Sequence, residues 1–288
     1  MMMLLIRNKT VVICSGILLF ILLCVLIGPF VSPYLPDQIS DSQFHAPSPE
    51  HWFGTDVHGR DLLTRVLAGA RISLLVGIVG ALVSLIIGVS WGMLAGYLGG
   101  KMDHAMMRVV DILYSLPSIL FVIVLVTSLE AILQSKFPAF FQGAWGGISR
   151  VVFLFVGLGA VSWLTMARII RGQVLSLRRS AFVEAASALG VTHPRIILRH
   201  ILPNLAGIIT VYVMLTIPSI ILYESFLSYL GLGIQPPMAS WGSLIAEGAA
   251  HLNPVRVYWW LLVFPAGTLA LTLLTLNFLG DALRKAVE

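Results

Sequence analysis

Six stretches of this sequence run for 17 to 29 residues without a single charged side chain: 11–31, 72–100, 112–129, 151–167, 201–223 and 257–280. A helix crosses the hydrocarbon core of a bilayer with about 17–25 residues, so each stretch is a candidate span and the longest is free to tilt. The composition leaves no other class open. Apolar residues make up 58% and charged residues 11%, against about 25% charged in an ordinary globular chain. A water-facing surface built from so few charges would carry large bare apolar patches. The expected fold is an all-α membrane protein with six transmembrane helices.

Basic residues orient the spans. With the N-terminus in the cytoplasm, twelve Lys and Arg fall on the inner side and six on the outer side, while acidic residues run five inside to eight outside. Cytoplasmic loops carry the excess of Lys and Arg, which places both termini in the cytoplasm. Residues 137–148, with Trp145 and Pro/Gly breaks, read as an interfacial or re-entrant piece before the fourth span. The chain divides into residues 1–71, an N-terminal helix and first outer loop, and residues 72–288, a five-helix core with a cytoplasmic loop at 168–200. The longest gaps, 32–71, 168–200 and 224–256, fall short of the ~50 residues of an independent domain. Any soluble catalytic domain therefore belongs to another chain.

Several chemistries are missing. The only Gly-Lys pair, Gly100-Lys101, lacks the earlier glycine (Ala95 stands there) and the following Ser/Thr (Met102) of a phosphate loop. The seven histidines lie outside the apolar stretches and form no H-E-x-x-H, so no metal site is expected. Cys14 and Cys24 are ten residues apart on one expected helix, about 15 Å along its axis and beyond disulfide reach. The 18 basic residues form no continuous patch interleaved with aromatics, which argues against nucleic acid. Gly88-Val-Ser90-Trp-Gly92 fits the G-x-S-x-G pattern of serine hydrolases, but that pattern needs a strand–turn–helix setting. The better reading is packing, because Gly88, Gly92, Gly96 and Gly100 recur every fourth residue, a smooth stripe that lets another helix approach. No ionisable residue falls inside a span. Glu130 and Glu224 are expected at outer boundaries, and Asp111 and Asp281 at inner ones, which counts against a proton-coupled secondary transporter. Pro117, Pro218 and Pro265 fall inside spans three, five and six.

The loop 168–200 is the most basic segment. Residues 181–189 favour helix, Gly190 is placed to end that helix in a left-handed conformation, and Pro194 suits the first turn of a second helix. Pro203 then breaks the second helix at the membrane entry. A short helix, a sharp turn and a second helix leading into span five make a lever.

Glu184-Ala185-Ala186, Gly190 four residues on, and Leu202-Pro203 after the second helix resemble the EAA loop of permease subunits of bacterial ATP-binding-cassette (ABC) importers. His200 stands where that family usually has Ile. Gly54-Thr55-Asp56 with Gly59-Arg60-Asp61, the Phe226 to Gly233 segment followed by Pro236-Pro237 and Ser240-Trp241-Gly242, and Asn277 to Arg284 resemble the dipeptide/oligopeptide branch, whose oligopeptide second permease looks closest. The resemblance covers the chain from Val11 onward. It implies an ABC type I importer permease of the bacterial inner membrane that translocates short peptides. It also implies a second, unlike permease, one or two cytoplasmic ATP-binding subunits that hold ATP and Mg²⁺, and an extracytoplasmic substrate-binding protein. This chain itself would hold no cofactor and would not be an enzyme. Glu184, Ala185, Ala186, Gly190, Leu202 and Pro203 would form the ATPase-docking loop. The same branch includes importers of nickel, glutathione and antimicrobial peptides, which stand as alternative cargoes; a self-sufficient secondary transporter is the more distant alternative.

Overall fold

The computed structural model describes residues 9–136, 138, 146–236, 238–252 and 256–287, and the regular structure among them is helical. In chain order the elements are α1 (Lys9–Val31), α2 (Leu62–Leu98), α3 (Gly100–Tyr114), α4 (Ser118–Lys136), α5 (Gly146–Leu177), α6 (Ala181–Ala188) and α7 (His193–Ile196). A π-helical turn (Ile197–Ile201) follows, then α8 (Leu202–Tyr229), α9 (Trp241–Ala250) and α10 (Trp260–Val287). Among the described residues, α1, α2, α4, the run His193–Tyr229 and α10 are long and apolar enough to cross a membrane. The fourth expected span lies within α5, a continuous helix of 32 residues. Of the segment 137–148, residues 137 and 139–145 lie outside the described residues, and Gly146–Ile148 open α5.

α2 is the central element. It packs along α5 and α8 and also meets α1, α3, α9 and α10. The glycine stripe explains the α5 contact. A Cβ at Gly88 would stand 2.6 Å from Met166 Cβ, at Gly92 2.5 Å from the Ala167 carbonyl oxygen, and at Gly96 2.8 Å from Val174 Cβ. Hydrogen is the only substituent that fits at this backbone separation. Gly100 does not share that face. It has open space around it, a φ of +55° and the first position of α3. Ser90 of the G-x-S-x-G pattern lies inside α2 on an exposed surface.

Four expectations change. α2 begins ten residues before the charge-free stretch and takes in Arg65 and Arg71. Arg65 is 3% exposed and donates to Asp56 and Glu247 at 2.7 and 2.6 Å, so partners distant in sequence make its burial tolerable. Arg71 donates to the carbonyls of Val25 and Leu26 near the end of α1, where a cation suits the helix dipole. The third span also moves: the chain breaks at Ser115–Pro117 and α4 starts at Ser118. Pro117 is thus not inside a helix but just ahead of one, where its missing N–H costs nothing. Pro218 and Pro265 do lie inside α8 and α10. Glu224, expected where the fifth apolar stretch ends, instead lies within α8, which continues to Tyr229, and is fully buried.

Pro203 is the fourth case, because it breaks nothing. α7, the π-turn and α8 abut, so His193 to Tyr229 is one 37-residue run. The Leu202 N–H reaches back to the Ile197 carbonyl, and this wider turn takes up the mismatch that a proline ring imposes on an α-helical ladder. The Asn204 amide donates to the His200 carbonyl at 2.6 Å, occupying one acceptor of the same turn.

The first outer loop is ordered by its own motif residues. Asp61 caps α2 through Thr64 N–H and hydroxyl at 2.9 and 2.8 Å, and it meets His51 Nδ1 at 2.9 Å. Asp56 Oδ1 accepts the N–H groups of His58 and Arg60. Gly54 and Gly59 turn the chain at φ of +76° and +70°. The division of the chain between residues 71 and 72 falls inside α2.

Candidate functional site

The cytoplasmic loop is built outward from a packed base. Val183 and Ala186, three residues apart on α6, are buried with Ile196, Ile201 and Leu205 against Met166, Ile170 and Val174 of α5 and Val89 of α2. This core fixes the position of α6. Around and opposite this base the surface is bare: Glu184 and Ala185 are exposed, Phe182 is 42% exposed and Leu189, just past the end of α6, is 83% exposed. An eight-residue helix does not persist alone in water, so the exposed face is held by the apolar base beneath it.

The turn after α6 follows from Gly190. Its N–H bonds to the Ser187 carbonyl and the Val191 N–H to the Ala186 carbonyl, at 3.0 and 3.1 Å. These are the two bonds of a Schellman ending, with Gly190 left-handed at φ +75°. Thr192 then takes the N-cap position of α7 without a side-chain capping bond, and Pro194 lies in the first turn. Of the six residues singled out in the sequence, Glu184, Ala185, Gly190 and Pro203 are exposed, Leu202 is half-buried, and Ala186 points into the supporting core.

Tyr97, at the cytoplasmic end of α2, meets His193 Nδ1 through its hydroxyl at 2.7 Å. The Arg178 guanidinium lies 5.8 Å from the Tyr97 ring centroid and donates to the Leu98 carbonyl at 3.3 Å. Neither contact is legible in the sequence, because Tyr97 and His193 are 96 positions apart. The outward Phe182 and Leu189 were visible as apolar residues, but only the burial of Val183 and Ala186 tells which face they occupy.

Two ion pairs brace α3 against α5 beside the loop. Arg171 donates to both oxygens of Asp103, at 2.5 and 2.6 Å, and Arg168 donates to Asp111 at 2.7 Å while lying 3.9 Å over the Tyr114 ring. The hydrogen bonds from Arg171 hold the Asp103 carboxyl below the usual carboxylate range. A depressed folded-state pKa contributes stability that is complete above the unfolded value, near 4, and is lost as pH falls through the folded value. Asp103→Asn is expected to cost about 1 kcal/mol at pH 7, and its deficit against wild type should begin to shrink below about pH 4 and close as pH falls through the folded-state value. Thermal unfolding in detergent at several pH values checks this; a deficit unchanged down to pH 3 would contradict it.

Among the described residues no group of His, Cys, Asp and Glu is arranged to hold a metal ion. The loop presents an exposed apolar and acidic surface on a buried apolar mount.

Residues 88–288 match the family described as the binding-protein-dependent transport system inner membrane component. The chain belongs to that family. Residues 2–47 of this inner membrane component also match the N-terminal TM domain of oligopeptide transport permease C. It is 46% identical to the oligopeptide transport system permease protein OppC of Haemophilus influenzae, over 98% of this chain and 85% of that one. It is equally close, at 46%, to the OppC of Escherichia coli K12, over 98% and 87%. It is 42% identical to the dipeptide transport system permease protein DppC of Bacillus subtilis, over 98% and 82%. A chain of the MetNI methionine ABC transporter, in an inward-facing conformation, shares its fold with a TM-score of 0.57 at 19% identity, over 78% of this chain and 96% of that one. The inner membrane component thus has the fold of a type I ABC importer permease.

Proposed function

We propose that this chain is one of two unlike permease subunits of an ATP-driven importer of short peptides, with six spans and both termini cytoplasmic. ATP and Mg²⁺ bind and react on one or two partner subunits, and an extracytoplasmic binding protein delivers the cargo. The observation that carries this reading is the cytoplasmic loop: an exposed Phe182, Glu184, Ala185 and Leu189 face mounted on a buried base and followed by one unbroken helix to Tyr229. The peptide cargo is supported by the names of relatives that align over 98% of the chain. ATP binding would draw the partner subunits together and displace α6. The helix that starts at His193 would carry that displacement into the membrane, shifting the population from inward-facing to outward-facing by the difference in nucleotide affinity between the two states.

Uptake of a labelled tetrapeptide, in cells lacking this gene and in the same cells with it restored, tests the cargo. Loss of uptake with rescue is expected. Unchanged uptake in cells that have no second peptide importer would move the cargo to nickel, glutathione or another small solute.

A further inference from the structure

Glu224 is 0% exposed, on the outer part of the helix that begins at the cytoplasmic loop. A carboxylate in such a place is costly unless its oxygens are satisfied. Here hydroxyls supply the bonds. Ser228, one turn on, donates to Oε1 at 2.6 Å, while Ser73 of α2 and Ser225 donate to Oε2 at 3.2 and 3.5 Å.

The serines do more than solvate the carboxylate. Ser73 Oγ also accepts the Trp241 N–H at 3.2 Å, and Ser228 Oγ accepts the Ile234 N–H at 3.1 Å and a bond from the Ser240 hydroxyl at 3.3 Å. Ser240 caps α9, and a Cβ on Gly242 would collide with the Ser225 backbone, so α9 starts in direct contact with α8. Glu224 is therefore the common point of α2, α8, the segment that follows α8, and α9. The far end of α9 carries Glu247, which holds Arg65 at 2.6 and 3.0 Å, and Arg65 holds Asp56 of the outer loop. A hydrogen-bonded chain thus runs from α8 through α9 to the outer loop.

We infer that Glu224 is a positioning residue that passes movement of the His193–Tyr229 helix to α9 and the outer loop, so that the outer surface and the cytoplasmic loop report on each other. This rests on the permease reading above. Apolar packing alone would let α9 slide over α8, whereas a carboxylate shared by serines on two helices, one of which also binds the first N–H of α9, ties the three elements together. By linkage, a binding protein acting on the outer surface would then alter events at the cytoplasmic loop.

The test uses the complete importer in proteoliposomes and compares basal ATP hydrolysis with hydrolysis stimulated by loaded binding protein. Glu224→Leu, which keeps the bulk and removes both acceptors, is expected to leave the basal rate unchanged and to cut the stimulation about tenfold, within the usual range of coupling between sites. Ser73→Ala, which removes only the tie from α2 to Glu224 and Trp241, is expected to give a smaller loss of stimulation at an unchanged basal rate. Wild-type stimulation in both variants overturns the inference. So does a fall of basal and stimulated rates together with the amount of assembled complex in Glu224→Leu, if Ser73→Ala is stimulated as wild type. A wild-type complex that the binding protein does not stimulate at all would overturn the permease reading and this inference with it, whereas a defect confined to the variants bears on Glu224 alone.

Discussion

Gly92→Val is expected to leave little folded protein in the membrane. A Cβ at this position would lie 2.5 Å from the Ala167 carbonyl oxygen, 2.9 Å from Ile170 Cβ and 3.0 Å from the Arg171 backbone nitrogen. Two of the three obstacles are backbone, which no rotamer change can move aside. The helices α2 and α5 would have to part, and their seam is the most extensive helix–helix contact among the described residues. Overpacking a tight interior costs roughly 1–3 kcal/mol per site, and the two extra methyls of valine add to the cost of the first. The loss does not stay local, because Met166, Ile170 and Val174 on the far side of that seam also support Val183 and Ala186 of the cytoplasmic loop. Gly92→Ala should therefore be intermediate in effect. Gly172→Ala should be silent, since nothing lies within 4 Å of its Cβ. Thermal unfolding in detergent and the amount of protein recovered from membranes order the three variants. A Gly92→Val protein as stable as wild type would remove the basis for assigning the seam to the glycines.

The same residues show where a sequence is legible and where it is not. A stripe of glycine every fourth residue marks a close approach, and three of its four members, Gly88, Gly92 and Gly96, meet α5. Gly100 breaks the pattern because α2 ends at Leu98 and the two glycines that follow both take positive φ. Nothing in a run of small and apolar residues distinguishes the last turn of a helix from the turn after it. Absence of charge is also an incomplete guide to span boundaries. Arg65 lies inside a helix because Asp56 and Glu247 reach it, and Glu224 because Ser73 and Ser228 do. Those partners lie up to 182 positions away, so the cost of burial cannot be judged from neighbours in the chain. The two prolines 117 and 203 make the point from the other side. One precedes a helix, and the other sits inside one because a π-turn ahead of it shifts the hydrogen-bond ladder. Proline chemistry is identical in the two cases; the packing of Ile196, Ile201 and Leu205 keeps the second run continuous.

Gly190→Val should abolish uptake while leaving the membrane protein in place, the opposite division of effects from Gly92→Val. Its Cβ would meet nothing within 4 Å, so the substitution creates no clash. All of its effect acts through φ, which is +75°, a region that costs an L-residue about 1–2 kcal/mol and a β-branched one more. The two bonds that end α6, from Gly190 N–H to Ser187 and from Val191 N–H to Ala186, need that φ. Without it the last turn of α6 unwinds, and Leu189 and the Glu184–Ala185 face leave the position that Val183 and Ala186 hold for them. A shift of about 2 kcal/mol changes a population roughly 30-fold, enough to empty the docking-competent state. Asparagine tolerates the left-handed region, so Gly190→Asn should retain most of the uptake lost in Gly190→Val. Copurification of the ATP-binding subunits with each variant separates docking from folding: Gly190→Val should lose them and Gly190→Asn should keep them, at equal amounts of permease. Equal uptake in wild type and Gly190→Val would show that the left-handed turn is not what holds the loop in its working position. Equal loss in both variants would assign the effect to the glycine's lack of a side chain, as at a surface against which a partner packs directly.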